Sequence, residues 1–184
     1  PGIIALNSMN ISFISVGSPL NMSRLYHKTL EEYLIAPIGS ASFVIGKVLA
    51  GALRGLISSV IIIALAYAFG AHLIINAWFL LVLALNCLVF ASMALVAAMV
   101  MNSHEDIANF NTYVLLPMSF LCATFFVPDH LPLLLAWMIK ILPLTHASYA
   151  LRSIASGGSV PITSVIMMLS YIFLFVGTGI WLMK

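Results

Sequence analysis

Three consecutive residues, His104, Glu105 and Asp106, carry side chains that commonly bind metal ions or transfer protons. A zinc site of the H-E-x-x-H type needs two histidines four residues apart on one helix face, and this chain has no such spacing. Three consecutive residues on a helix point in three directions, so they do not converge on one ion. We therefore predict a solvated polar loop at 102–111, with no metal site and no catalytic centre.

A nucleotide-binding loop is also missing from the chain. Such a loop has the pattern G-x-x-x-x-G-K-[ST], whereas Gly46-Lys47 is followed by Val48 and position 41 is alanine. We expect no ATP hydrolysis, no enzyme activity and no cofactor in this chain. Cys87 and Cys122 lie in apolar stretches and are predicted to be packing residues.

The composition indicates a membrane protein. The chain has 184 residues, is 63% hydrophobic and only 7% charged, and has a mean hydropathy of +1.17. Soluble domains carry roughly 25% charged residues because their surface faces water. The net charge of +2 is scattered and no basic run occurs, which argues against nucleic acid as a partner.

Apolar stretches lie at about 1–20, 42–69, 78–101, 112–127 and 162–182. The stretch 128–160 breaks at Pro143, and its apolar part, 131–142, reaches only ~18 Å as a helix, too short to cross the ~30 Å hydrocarbon core. We predict a single transmembrane domain that is all-α and polytopic. It would have four full spans plus an outer re-entrant or surface helical hairpin.

Polar residues within the apolar stretches need neighbours other than lipid. Asn7, Asn10 and several serines are expected to face other helices. Gly51 and Gly55 form a GxxxG pair, whose small residues let helix backbones approach closely. Arg54 lies at depth, where a charge costs roughly 2.5–3.5 kcal/mol on insertion scales. It is either a pathway or subunit-interface group, or an arginine that snorkels to the interface.

Basic residues set the predicted orientation. Placing the charged stretch 27–40 in the cytoplasm gathers four basic residues inside: Arg24, Lys28, Lys47 and Lys184. Within this stretch, Thr29 and Glu32 fit a helix capping box, and Pro37 stops the helix. We therefore predict a short amphipathic helix at about 29–36. Its apolar stripe, Leu30, Tyr33 and Leu34, needs either the lipid surface or a protein partner, and the adjacent glutamates disfavour the negative cytoplasmic leaflet.

The stretch HKTLEEYLIAPIGSASFVIGKVL resembles the membrane (permease) subunits of type-2 ABC transporters. The family pattern there is a charged run, Gly-Thr-Leu-Glu, Ser- or Thr-Pro, and Gly-Lys. Thr29-Leu30-Glu31, Pro37 and Gly46-Lys47 match it, while Lys28 and Ala36 depart from it. LPMSFLCATFFVPDHLP and LPLTHASYALR resemble the later family segments, so the likeness extends over nearly the whole chain.

This resemblance implies a six-helix fold, of which the chain would hold helices two to six and lack the N-terminal helix and first span. The helix at 29–36 would be the coupling helix that docks on a separate ABC ATPase, where ATP and Mg bind. Leu30, Tyr33 and Leu34 would anchor it, and Glu31 and Glu32 would pair with basic groups of the ATPase.

The expected function is that of a permease subunit of an ATP-driven exporter in a prokaryotic inner membrane. Two permease subunits, identical or different, would form the substrate pathway. Phe125 and Phe126 would line an outer gate, although aromatic residues near an interface also serve as anchors. The alternative is an ATPase-independent secondary transporter or channel, in which broken helices are common. No residue selects among drugs, lipids, oligosaccharides and polysaccharides as substrate.

Overall fold

The computed structural model describes residues 1–26, 39–70, 75–121, 139 and 141–183, and within these ranges it contains helices and no strand. The helices are α1 (Gly2–Leu25), α2 (Ser40–Ala68), α3 (Ala77–Val100), α4 (His104–Phe110), α5 (Leu116–Leu121), α6 (Pro143–Ala155) and α7 (Ile162–Leu182). A π-helical segment, Asn111–Leu115, joins α4 to α5 without a break.

Four of these helices, α1, α2, α3 and α7, are long and apolar enough to cross a membrane. They have 24, 29, 24 and 21 residues, and each exceeds the length needed for a ~30 Å core. The predicted all-α, polytopic membrane fold is thereby confirmed. α1 passes through Pro19 and continues to Leu25, beyond the predicted limit of the first stretch.

Helix α3 forms the axis of the bundle. Its sequence is apolar on every side, which is typical of a helix surrounded by others. It packs against α1, α2, α6 and α7, and large side chains such as Phe79, Leu83 and Phe90 are fully buried along it. Helix α1 packs against α3 more extensively than against any other described helix, so α3 sets the position of α1.

The polar stretch 102–111 is helical for most of its length, so the predicted loop is wrong. The Ser103 hydroxyl accepts a hydrogen bond from the Glu105 N–H at 3.1 Å and caps α4. Glu105 and Asp106 occupy the first turn, where the helix dipole favours negative charge. Ile107 is buried. The helical run that contains residues 112–121 therefore begins at His104.

Helix α6 begins at Pro143, whose fixed φ suits a first helical position. It ends at Ala155. Gly157, two residues later, has a φ of 79°, and the Gly158 N–H donates to the Ser153 carbonyl at 2.8 Å. Its apolar side is buried against α1, α3 and α7. Residues 128–138 and 140 of the predicted outer hairpin lie outside the described residues, so the hairpin stays a prediction.

Cross-helix contacts fix the directions of the helices. Asn7 contacts Ser58 and Ser15 contacts Arg54, so α1 and α2 are antiparallel. Asn21 of α1 contacts Met101 just after α3, so α1 and α3 end on the same side. This end of the bundle also holds the start of α2 and the start of α4. We call it the basic end, because Arg24 and Lys47 belong to it.

Candidate functional site

A groove runs along α1 on the side of the helical run formed by α4, the π-helical segment and α5. One part is a cavity of about 340 Å³. Among the described residues, its lining consists of Leu6, Asn10, Asn111, Leu116, Ser119 and Phe120. The side chains of Asn10 and Asn111 bring amide groups to a wall that is otherwise largely apolar.

A second cavity, of about 200 Å³, continues the groove towards the basic end. Its lining includes Ile14 and Ser18 of α1, with His104, Ile107 and Asn111 on the opposite side. Asn111 borders both cavities. The rings of Phe13 and Phe110 stack at 5.6 Å between centroids and hold α1 against the end of α4.

The π-helical segment of this wall has a local cause in Pro117. Proline has no N–H, and its ring presses on the carbonyl four residues earlier, here that of Tyr113. A local π-helical register is one way in which membrane helices accommodate such a residue. The Leu116 N–H donates to the Asn111 carbonyl five residues back, so the wider register ends immediately before Pro117.

The groove differs chemically from an ordinary lipid-facing surface. Its amides and hydroxyls, from Asn10, Ser18, Asn111 and Ser119, lie beside apolar side chains, and Asn10 and Ser18 belong to α1, which is long and apolar enough to cross a membrane. Polar groups of a spanning helix face another helix, water or a bound molecule rather than hydrocarbon. Except for His104, the described residues that line the groove carry no ionisable side chain. Such a groove can accept water and neutral or amphipathic molecules.

On its other side, α1 meets α2 and α3 in a closed seam built on Gly51 and Gly55. A Cβ atom at Gly51 would lie 2.2 Å from Cγ2 of Val16. One at Gly55 would lie 2.0 Å from Oγ of Ser12 and 3.0 Å from Sγ of Cys87. Only glycine permits this approach of α2 to α1, since real Cβ atoms do not approach other atoms to about 2 Å.

Buried polar groups cross the seam. The Asn86 side-chain N–H₂ donates to the Ala5 carbonyl at 3.1 Å and to the Ser8 hydroxyl at 2.7 Å. The Ser8 hydroxyl in turn donates a hydrogen bond to the Ala5 carbonyl at 2.8 Å. The free thiol of Cys87 is buried nearby. Such interhelical hydrogen bonds hold membrane helices together.

Arg54 lies at the exposed edge of the seam and does not line the cavities of the groove. Its Nη1 atom is 3.5 Å from the Ser15 carbonyl oxygen. In an unbroken helix that carbonyl would accept the N–H four residues later, but residue 19 is proline and has none. The guanidinium thus supplies a donor to the carbonyl that Pro19 leaves without its helical partner.

The side chains of His104, Glu105 and Asp106 do not converge on one point. His104 borders the groove, whereas Glu105 and Asp106 are exposed in the first turn of α4. Within the described ranges, no group of three histidine, cysteine or acidic side chains is placed to hold a metal ion.

Several predicted site residues cannot be placed by this structure. The coupling residues Thr29, Leu30, Glu31, Glu32, Tyr33 and Leu34 lie outside the described residues, as do Phe125 and Phe126. Their assigned roles remain predictions. The groove itself was not predicted as a site. The expectation that Asn10 would face another helix rather than lipid could have indicated the α1 wall of the groove. Asn111 gave no such indication, because it was assigned to a polar loop.

Comparison with known proteins gives a family and a small set of relatives. The family profile described as "ABC-2 type transporter" matches residues 1–156. "Inner membrane transport permease YadH" of Escherichia coli K12 is 25% identical over 134 residues, which are 72% of this chain and 52% of the relative. The proteins of the same name from Escherichia coli O157:H7 and Shigella flexneri match equally well. The chain spans about half the length of these curated relatives.

Proposed function

Because this chain belongs to the ABC-2 type transporter family, we propose that it serves as the permease subunit of an ATP-driven exporter. The observation that carries this proposal is the family match over residues 1–156, which includes α1, the segment 27–38, α2, α3 and the groove. The relatives are named inner membrane transport permeases, and the four apolar helices make this chain a multi-pass membrane protein of the same kind.

The energy for transport would come from a separate ATPase. The sequence contains no G-x-x-x-x-G-K-[ST] loop, so ATP and Mg would bind on a partner chain or domain. A permease that cannot bind nucleotide needs a surface through which the partner moves it. The proposed surface is the helix predicted at 29–36.

The position of this segment along the chain supports its coupling role. It lies between the end of α1 and the start of α2, and both of these belong to the basic end. The excess of basic residues at this end favours a cytoplasmic location, where the ATPase would be. A displacement of the segment would act directly on α1, the helix shared by the seam and the groove.

The groove supports the proposed pathway. Its amides and hydroxyls would be costly against lipid and are suited to line a route for a neutral or amphipathic substrate. Ile3 and Ile14 on the adjoining face of α1 are 66% and 47% exposed, which leaves surface for a second permease subunit to cover. We propose that two subunits enclose the pathway between them.

The test is co-purification from the native host in mild detergent. The full-length protein would be compared with a variant in which Leu30, Glu31, Glu32 and Leu34 are all alanine. A control variant would carry Tyr149→Ala and Ile162→Ala, two exposed positions at the other end of the bundle. Co-purifying chains would be identified by mass spectrometry.

We expect a P-loop ATPase with the full-length protein and with the control, and none with the fourfold variant. Retention by the fourfold variant would move the docking site elsewhere, with His104 to Asp106 as the next surface to change. If no sample contained an ATPase, in a preparation shown to preserve complexes, the proposal would fail and a secondary transporter would replace it.

A further inference from the structure

Arg24, in the last turn of α1, binds the carbonyl groups at the end of α3. Nη1 of Arg24 donates to the carbonyls of Ala98, at 3.2 Å, Met99 and Met101, at 3.3 Å. Nη2 of Arg24 lies 3.4 Å from Oδ1 of Asn102. The buried Asn21, one turn earlier on α1, donates to the same Met101 carbonyl at 3.0 Å. We call these contacts the arginine junction.

The junction satisfies groups that the end of α3 leaves unpaired. The final carbonyls of a helix have no N–H four residues later, and the end of the helix carries a partial negative charge. The Met101 N–H still reaches the Ala97 carbonyl, so Ala98 and Met99 are the first without a helical partner. A guanidinium offers five donors in a rigid fork and can serve several carbonyls at once, which the single ammonium of lysine does not match.

The junction also joins two segments with different proposed tasks. Arg24 lies three residues before the segment 27–38, which we propose receives the motion of the ATPase. Asn102 lies immediately before Ser103, the cap of α4, and the run from α4 to α5 forms one wall of the groove. Arg24 thus links the two segments directly, through contacts of its own side chain.

We propose that Arg24 is a positioning residue for transport: it binds the ends of α1 and α3 and the start of α4 into one rigid unit. A displacement of the segment 27–38 then carries the start of α4 along with α1, and the groove changes width at its far end, towards α5. This inference rests on the proposed function, because it needs a motor that acts on that segment. Without the guanidinium, the ATPase would still bind, but less than half of its motion would reach α4, through the remaining contacts of Asn21 and of the stacked Phe13 and Phe110 rings.

The test uses the full-length protein in complex with its ATPase, with native cysteines replaced. Spin labels at Glu105 of α4 and Trp181 of α7, both exposed, report the distance between these helices by pulsed electron resonance. The distance is measured without nucleotide and after trapping with ATP and vanadate. Arg24→Met removes the fork, and Arg24→Lys keeps the charge if the first variant fails to assemble. Arg152→Lys, near the other end of the bundle, is the matched control.

We expect a distance shift on trapping in the unaltered complex and in the Arg152→Lys control. In the Arg24 variants the ATPase should remain bound while the shift falls to less than half. A shift of full size in Arg24→Met would overturn the proposal, as would an unaltered complex that shows no shift. Loss of ATPase binding in both Arg24 variants would also overturn it, because Arg24 would then serve folding or docking. Absence of an ATPase from the unaltered protein would instead refute the proposed function itself.

Discussion

Helix α1 has two sides that differ in how they meet their neighbours. Towards α2 and α3, the seam leaves no space for a single methyl group at Gly51 or Gly55. Towards α4 and α5, the groove holds cavities of about 340 and 200 Å³. Polar side chains occur on both sides. In the seam the buried Asn86 bonds across helices to Ala5 and Ser8, whereas the polar side chains of the groove line open space.

The difference indicates which contacts stay fixed during transport and which change. Close packing and interhelical hydrogen bonds make α1, α2 and α3 one unit, since separating them would expose buried amides and hydroxyls to lipid. The walls of the groove already enclose open space, so separating them breaks few side-chain contacts. Motion between the two groups of helices is therefore expected at the groove, and three pairs of variants test this contrast.

The largest effect is expected from Gly55→Ala. The new methyl group would overlap the Ser12 hydroxyl, and overpacking of this kind costs about 1–3 kcal/mol. Gly177→Ala on α7 is the matched control, because no atom of the residues that the structure describes lies within 4 Å of a Cβ there. Thermal unfolding of the purified full-length protein should show a lowered midpoint for Gly55→Ala only. Equal midpoints would mean that the seam is not closed.

A smaller effect is expected from Asn86→Ala, which removes the hydrogen bonds to Ala5 and Ser8. Interhelical hydrogen bonds in membranes contribute about 0.6–1.7 kcal/mol, so stability should fall by that amount. Asn111→Ala in the groove should cost less than about 0.5 kcal/mol, as expected of an open site, yet alter transport. If Asn111→Ala were the more destabilising change, the groove would be part of the packed core.

The smallest effect is expected from Arg54 at the edge of the seam. A hydrogen bond contributes about 0.5–1.5 kcal/mol, and this one, at 3.5 Å and exposed, should lie at the lower limit. Pro19→Ala would return an N–H to the Ser15 carbonyl, so Arg54→Gln should then cost nothing. A double-mutant cycle on unfolding free energies measures this coupling. Additive effects would show that Arg54 does not serve that carbonyl and would favour a role in the pathway.

The membrane-spanning helices could be predicted from the sequence, whereas the groove could not. Long apolar stretches predict membrane helices because the hydrocarbon core demands them, and α1, α2, α3 and α7 follow that rule. The run 102–111 was misjudged because its polar composition outweighed the Ser103 cap. The groove depends on which faces of α1 and α4 meet, and the partner of Arg24 is a set of backbone carbonyls. Neither leaves a pattern in the order of residues.

The most direct test of the proposed pathway is the reactivity of single cysteines in the full-length complex. With native cysteines replaced, Asn10→Cys and Ser119→Cys probe the groove, Ser8→Cys the seam, and Ile57→Cys the exposed apolar face of α2. A charged, membrane-impermeant maleimide reacts only where water reaches the thiol. Labelling is predicted in the groove alone, at a rate that changes several-fold when ATP and vanadate trap the ATPase. A transport pathway along α1 would be contradicted if the groove cysteines reacted as little as Ile57→Cys. It would also be contradicted if their labelling rate were the same with and without ATP and vanadate.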